Sequence, residues 1–174
     1  MAIRKKSKQM AFDVIVVGGG MTGMCAAIAS ARHGAKTALI QDRPVFGGNA
    51  SSEIRMHICG ASSNMMKKNA EETGILREIL LENRLVNDYY NFSIWDRVLH
   101  SAIRNQDNLT MFLNTTMTDA DVDGKTITAI HCYQLTTEIH WTLTAPIFCD
   151  CTGNGTLGYI AGAPYRTGSE GKAE

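Results

Sequence analysis

Residues 12–41, FDVIVVGGGMTGMCAAIASARHGAKTALIQ, contain the pattern that decides the fold. The stretch begins with an apolar, largely β-branched run at 12–17, which predicts a strand buried on both faces of a parallel sheet. Apolar residues then recur at three- and four-residue spacing and predict a helix over 21–33. A second apolar run at 37–40 follows. Strand, helix and strand within about 30 residues make a βαβ unit.

The six residues between the first strand and the helix are GGGMTG at 18–23, a GxGxxG motif. Each glycine has a mechanical reason in this context. Gly18 permits the tight turn, Gly20 lets a pyrophosphate approach the backbone, and Gly23 lets the helix pack closely on the sheet. The helix N-terminus then offers free N–H groups to an anion. No Gly-Lys-Ser/Thr follows, which excludes a phosphate loop of the nucleotide-hydrolase type. A glycine-rich turn without a ligand remains the alternative.

The end of the second strand departs from the usual dinucleotide fingerprint. That fingerprint has an acidic residue there, which holds the ribose hydroxyls. Here Gln41 stands at the position and Asp42 follows it. An amide can also hydrogen-bond a ribose, and Asp42 could do so after a small shift in register. The departure weakens an assignment of NAD specificity and leaves the dinucleotide prediction intact.

The middle of the chain predicts a loop and two helices. Residues 42–63 are rich in glycine, serine and asparagine and lack a clear period, which predicts a long loop. Apolar periodicity predicts helices over 71–85 and 94–103. Ser93 followed by Asp96 resembles a capping box at the start of the second helix.

The last part of the chain predicts mainly strands. Runs at 109–113 and 146–149 read as strands of the parallel sheet, and 117–143 reads as a β-meander with a hairpin turn at 123–124. The predicted fold class is therefore α/β: a Rossmann-like, doubly wound parallel sheet that carries a β-meander. By analogy, its strand order is 3-2-1-4.

Composition excludes several classes of protein. At 174 residues the chain suits one domain, and 44% hydrophobic with 20% charged residues is ordinary globular usage. Lys+Arg and Asp+Glu number 17 each, and this zero net charge argues against nucleic acid or an anionic membrane as partner. Four basic residues lie in the first eight positions and predict a solvated basic tail over 1–11. They are Arg4, Lys5, Lys6 and Lys8.

Targeting and metal-binding signals are weak throughout. No run approaches the ~20 apolar residues that span a bilayer, and no apolar segment follows the basic start, so a cytoplasmic location is expected. Five cysteines form an odd set without Cys-x-x-Cys, which fits reduced thiols. The spacing of the histidines and cysteines in the last third fits no familiar zinc site, and no metal is predicted. These residues are His131, Cys132, His140, Cys149 and Cys151.

Three separated segments, in the expected order, resemble the N-terminal part of the FAD-dependent oxidoreductase family. They are residues 13–43, PVFGGNASSE at 44–53 and DCTGNGTLGYIAGA at 150–163. The resemblance to fumarate-reductase-type flavoproteins is more distant. The resemblance to the FAD-dependent oxidoreductase family implies FAD as cofactor and flavin-mediated hydride or electron transfer on an unidentified small-molecule substrate. The alternatives are a truncated, non-catalytic dinucleotide-binding module and an NAD(P)-dependent dehydrogenase.

The resemblance also implies which residues contact the cofactor. The glycines of 18–23 would hold the pyrophosphate, Gln41 would stand at the ribose, and the backbone of Met117 would meet the adenine. The second glycine pair, at 47–48, would approach the phosphates and ribitol. The full set is Gly18, Gly20, Met21, Thr22, Gly23, Gln41, Asp42, Arg43, Gly47, Gly48, Asn49, Met117, Asp150, Thr152, Gly153 and Gly155.

By the same resemblance, the chain passes the flavin ring just after the second glycine pair. Arg55, His57 and Cys59 are therefore the candidate catalytic residues. A cation could stabilise anionic reduced flavin, and a histidine could move a proton. The alternative is that all three pack or solvate a loop.

The family continues for several hundred residues beyond the matching region. Residues 12–174 are accordingly expected to be the N-terminal part of an FAD-binding domain, a fragment without its substrate domain. Formation of a homo-oligomer stays open.

Overall fold

The computed structural model describes residues 6–61 and 70–168. The strands in these ranges are β1 Lys6–Ala11, β2 Val14–Val17, β3 Thr37–Ile40, β4 Leu109–Phe112, β5 Thr115–Asp123, β6 Thr126–Gln134, β7 Ile139–Thr144 and β8 Ile147–Asp150. The helices are α1 Met21–Arg32, α2 Gly74–Val86, α3 Phe92–Arg104 and α4 Thr156–Ile160, with a 3₁₀ turn at Gly48–Ala50. None of these helices is long and apolar enough to cross a bilayer.

Four parallel strands form the sheet that positions the site. Their order is β4-β3-β2-β8, which confirms the predicted order 3-2-1-4. Val17, at the end of β2, lies beside Ile40 on one side and Asp150 on the other. The chain leaves all three strands at the same edge, because parallel strands end together. The loops that follow β2, β3 and β8 therefore meet at one place.

The sheet is covered by helices on one face and by the meander on the other. Successive residues of a strand point to opposite faces. Val16 accordingly packs with α1 and α3, through residues such as Met24 and Leu99. Its neighbour Ile15 packs against the meander, with Ile130 and Leu143. Burial on both faces explains why β2 and β3 read as continuous apolar runs.

The meander is an antiparallel sheet of β5, β6 and β7, as predicted. One prediction needs correction at the edge of this sheet. Residues 6–11 were predicted to belong to a solvated basic tail, but they form β1, which pairs with β7 in parallel register. Met10 packs on the core, Lys8 Nζ lies 5.5 Å from the centre of the Trp141 ring, and β1 pairs with the otherwise open edge of β7. Residues 1–5, which include Arg4 and Lys5, lie outside the described ranges.

The start of α3 also differs from the prediction. Asn91 is the N-cap, and its side-chain Oδ1 accepts hydrogen bonds from the N–H groups of Ser93 and Ile94 at 2.8 and 3.3 Å. The predicted capping box of Ser93 and Asp96 is therefore wrong. The Asp96 carboxylate instead accepts a hydrogen bond from the Ser52 N–H at 3.0 Å, which ties the loop after the second glycine pair to α3.

Candidate functional site

A cavity of about 620 Å³ lies where the loops after β2, β3 and β8 meet. Most residues of the predicted cofactor set line it, although they come from five separate parts of the chain. Those that line it are Gly18, Gly20, Met21, Thr22, Gln41, Asp42, Arg43, Gly47, Gly48, Asn49, Met117, Thr152 and Gly153. Gly23, Asp150 and Gly155 are not among the lining residues. Sequence reasoning missed several further lining residues, among them Thr115, Thr116 and Cys151.

Two glycines of the first loop are required by the protein's own packing. Gly18 has a φ of +103°, and a Cβ there would lie 2.2 Å from the Cys151 carbonyl oxygen. A Cβ on Gly23 would lie 1.8 Å from the Gly18 carbonyl oxygen. Both distances are far inside van der Waals contact, so these glycines let α1 approach β2 and β8.

Gly20 has no such requirement. Its φ is −68°, which any residue adopts, and a Cβ there would meet nothing within 4 Å. The side chain of a larger residue would instead enter the cavity that Gly20 lines. The absence of a side chain at Gly20 therefore leaves room for a ligand in the cavity. A pyrophosphate pressed against the backbone fits this position.

The same end of α1 is prepared for an anion. No side chain caps the helix, and its first turn carries no acidic residue. The first N–H groups of a helix have no partner within the helix, and the helix dipole places positive charge there. The N-terminus of α1, which lines the cavity through Met21 and Thr22, thus offers donors to a phosphate.

The second glycine pair is joined to the first loop by backbone contacts. The Gly47 N–H donates to the Gly19 carbonyl oxygen at 2.8 Å. Gly47 has a φ of +107°, and a Cβ there would lie 2.6 Å from Leu99 Cδ1. A Cβ on Gly48 would lie 3.2 Å from the Cα of Gly20. The two loops therefore form one backbone-lined wall.

Gln41 lines the cavity and also makes two hydrogen bonds within the protein; its assignment to the ribose stays a prediction. Its side chain is buried, its Oε1 accepts a hydrogen bond from the Gly19 N–H at 2.8 Å, and its Nε2 donates to the Val45 carbonyl oxygen at 3.1 Å. The amide thus holds the two glycine loops in position. A carboxylate could not make both contacts, because it has no proton to donate. An amide at a position that is usually acidic was the feature of the sequence that could have indicated this positioning role.

We expect Gln41→Glu to destabilise the protein by about 1–3 kcal/mol at neutral pH. The new carboxylate would face the Val45 carbonyl oxygen without a proton to donate, and a buried group that loses its hydrogen bond costs about that much. Urea unfolding followed by circular dichroism measures the change. Asp42→Asn is the matched control, because Asp42 is exposed and makes no such contact. Equal stability of Gln41→Glu and the wild type would contradict this positioning role.

Asp150 does not line the cavity, but it fixes the loop after β8, which does. Its Oδ1 accepts hydrogen bonds from the Thr152 N–H and hydroxyl at 3.0 and 2.7 Å, and its Oδ2 accepts one from the Gly158 N–H at 2.9 Å. Partial burial raises the pKa of Asp150, but these hydrogen bonds, led by that from Gly158, outweigh burial and hold the pKa below its ordinary value. The charged carboxylate thereby fixes the loop that carries Thr152 and Gly153 to the cavity.

Of the three candidate catalytic residues, His57 alone lines the cavity, between Met56 and Ile58. The Arg55 guanidinium donates from Nε to the Ser52 carbonyl oxygen at 3.0 Å and lies 5.5 Å from the centre of the Phe92 ring. The Cys59 thiol is exposed and donates to the His57 carbonyl oxygen at 3.5 Å. The structure therefore brings His57 to the site and turns the other two side chains to local contacts.

The cysteines of the site are not activated for thiol chemistry. Burial, with smaller contributions from Cys149 and Asp150, raises the pKa of Cys151, the cysteine that lines the cavity. Burial raises the pKa of Cys132 to about 12. Both therefore stay neutral thiols at neutral pH. Within the ranges that the structure describes, no three His, Cys, Asp or Glu side chains group as metal ligands do.

Arg43, which lines the cavity, forms an ion pair with Glu53, which does not. Arg43, just after β3, donates from Nε and Nη2 to the two carboxylate oxygens of Glu53, both at 2.9 Å. The paired geometry is the bidentate one that the guanidinium fork favours. It joins the loop after β3 to the loop that leads to His57.

Comparison with known proteins identifies relatives over part of the chain. The chain is 31% identical over 141 residues to the tRNA uridine 5-carboxymethylaminomethyl modification enzyme MnmG of Mycoplasma mycoides subsp. mycoides SC, which covers 69% of this chain and 21% of that protein. Its identity to the MnmG of Prochlorococcus marinus is 38% over 91 residues, 47% of this chain and 14% of that protein. The chain thus spans about a fifth or less of these curated relatives.

Solved structures share the fold at low sequence identity. THI4 of Thermovibrio ammonificans superposes with a TM-score of 0.58 at 22% identity, over 88% of this chain and 64% of that one. Quinol fumarate reductase FrdA of E. coli gives 0.57 at 14% identity, over 83% of this chain and 33% of that one. A family model described as FAD dependent oxidoreductase matches residues 13–174. Because that match covers almost the whole sequence, the chain belongs to the FAD dependent oxidoreductase family, and its cofactor is FAD.

Proposed function

We propose that this chain is the part of a flavoenzyme that holds FAD and presents the flavin to a small-molecule substrate for hydride or electron transfer. The observation that carries the proposal is Gly20, whose missing side chain leaves space that no group of the described protein uses. When bound, the flavin supplies the redox chemistry. The chain's own residues bind it, orient it and limit its access to water.

Binding is divided among the three loops of the cavity. The N–H groups at the start of α1 would hold the pyrophosphate, with the backbone of Gly47 and Gly48 behind it. Met117, near the start of β5, and Arg43, just after β3, line the side that suits the adenosine. Thr152 and Gly153 supply the opposite wall. In this arrangement the diphosphate is bound mainly by backbone N–H groups and by the dipole of α1, and less by charged side chains.

His57 is the proposed proton-transfer residue. It is the one candidate catalytic side chain that lines the cavity, and histidine is the side chain most often used for general acid–base catalysis. Arg55 is a positioning residue, because its guanidinium is engaged by the Ser52 carbonyl and the Phe92 ring. These contacts of Arg55 fix the backbone two residues before His57.

A small-molecule substrate is proposed in preference to a nucleic acid or a membrane. The two curated relatives are named as tRNA modification enzymes, but the chain matches a fifth or less of their length. The formal net charge of this chain is zero, which does not favour binding to a polyanion. The five free cysteines suit a reducing compartment.

The visible absorption spectrum of the purified protein tests the proposal. We expect a flavin spectrum whose chromophore is released intact on denaturation and identified by mass as FAD. Bound flavin that photoreduces and is reoxidised by a dye acceptor would support a redox role. Bound flavin that did neither would favour the non-catalytic module. A colourless protein that took up NADH but not added FAD would contradict the proposal in favour of a nicotinamide-dependent enzyme.

A further inference from the structure

A second cavity, of about 380 Å³, lies on the other side of the His57 loop, between that loop, α2 and α3. Ala50, Met56, His57 and Ile58 line both cavities, so this short segment is their common wall. The volume falls within the ~300–1,000 Å³ of small-molecule sites. A molecule in the second cavity would thus lie directly beside the residue proposed to transfer protons.

The chemistry of the second cavity favours an anion with a flat apolar body. The aromatic rings of Tyr90, Phe92 and Trp95 line it together with Arg84 and the amides of Asn83 and Asn87. Among the residues that the structure describes, no carboxylate side chain lines it. A second guanidinium, that of Arg55, lies over the Phe92 ring. Aromatic faces favour planar groups, and the positive charge selects for an anion.

The side chains of Asn83, Asn87 and Trp95, which line this cavity, are already hydrogen-bonded within the protein. The Asn87 amide, 3% exposed, donates to Asn83 Oδ1 and the Asn91 carbonyl oxygen at 2.9 and 3.0 Å and accepts from the Asn91 N–H at 2.7 Å. The Trp95 indole N–H donates to the Ala50 carbonyl oxygen at 2.7 Å. These bonds build the walls before any ligand arrives, which lowers the entropy cost of binding.

The Arg84 guanidinium differs from these three side chains. Arg32, Arg43 and Arg77 each pair with a glutamate. Arg84 makes neither an ion pair nor a hydrogen bond in residues 6–61 and 70–168, although it lines the cavity. A guanidinium presents a planar fork of donors that matches the two oxygens of a carboxylate.

We infer that the second cavity binds the substrate of the proposed flavoenzyme, and that this substrate is a carboxylate with a planar, apolar body. Arg84 binds the carboxylate in bidentate geometry, and the rings of Tyr90 and Phe92 contact the body. The inference rests on the proposed function for the role of the ligand as substrate. The anion site itself depends only on the geometry around Arg84.

Titration calorimetry of the FAD-loaded protein with benzoate and with benzamide tests the inference. Benzamide has the same shape without the charge. We expect benzoate to bind at least about tenfold more tightly, because one charge-assisted bidentate contact is lost in the amide. Arg84→Met should remove that preference, and Arg84→Lys should restore part of it. The matched control is Arg97→Met, because Arg97 is an exposed arginine of α3 outside the cavity lining.

Two results would overturn the inference: equal binding of benzoate and benzamide to the wild type, or an unchanged preference in Arg84→Met. The flavin spectrum is recorded in the same samples and reports on FAD independently. A protein that kept its FAD but bound neither probe would contradict the second cavity alone. A protein without FAD that still preferred benzoate through Arg84 would contradict the proposed function and leave the anion site standing.

Discussion

Gly20→Val should yield a folded protein that no longer retains FAD. A Cβ at this position meets no protein atom within 4 Å, so we expect the fold to be kept, but the side chain fills the space where the pyrophosphate approaches the backbone. The phosphate would then lose its closest N–H donors. Two hydrogen bonds to a charged group, at about 1.5–3 kcal/mol each, correspond to a loss of affinity of at least roughly a hundredfold. Gly20→Ala should show a smaller loss of the same kind.

Flavin absorbance per protein after gel filtration measures this effect, and thermal unfolding of the apoprotein measures the fold. Ala29→Val is the matched control, because it adds a β-branched side chain to α1 at a position that does not line the cavity. The control should keep its flavin. A yellow Gly20→Val protein with wild-type flavin content would contradict the assignment of Gly20 to the pyrophosphate.

Gly23→Ala, unlike Gly20→Val, should destabilise the fold itself. We expect it to lower the free energy of unfolding by about 3 kcal/mol or more. The added methyl group would lie 1.8 Å from the Gly18 carbonyl oxygen and 3.2 Å from Cys151 Cβ. Overpacking of this kind typically costs ~1–3 kcal/mol and more where backbone must move. Helix propensity alone predicts the reverse sign, since alanine is better than glycine inside a helix by about 1 kcal/mol.

The sign of the change therefore separates close packing from propensity. Gly158→Ala is the matched control, because Gly158 is also helical and an added Cβ would have only ordinary contacts, at 3.8 Å or more. Urea unfolding should show Gly158→Ala at or above wild-type stability and Gly23→Ala well below it. If both substitutions stabilised the protein, close contact between α1 and the β2–β8 loops would be refuted.

The parts of the fold that sequence predicted are those decided by local pattern. The apolar runs of β2 and β3, the period of α1 and the glycines between them are all neighbours in the chain, and together they imply the βαβ unit and the edge where a cavity forms. Asn91 carried an equally local signal as an N-cap residue, but Ser93 with Asp96 offered a competing one. Two cap signals within six residues cannot be ranked without the contacts of Asp96.

The parts that sequence missed depend on partners far away in the chain. Residues 6–11 look like a solvated basic tail until β7 provides an edge on which they pair. The hydrogen bonds of the Gln41 amide with Gly19 and Val45 were not predicted, because they depend on how the two glycine loops fold against each other. Arg84 looks like any exposed helical arginine, because its cavity exists only once α2, α3 and the His57 loop are packed together.

The position of β8 has a consequence for the order of folding. β2 is a central strand, and one of its two neighbours, β8, comes from the far end of the described chain. Contacts between segments so far apart form late, because closing a long loop costs entropy before any contact repays it. On the ribosome, β2, α1 and β3 emerge long before β8. Among the described walls of the cavity, the one formed by Thr152 and Gly153 is therefore synthesised last, and its contacts with the cofactor have to wait for it.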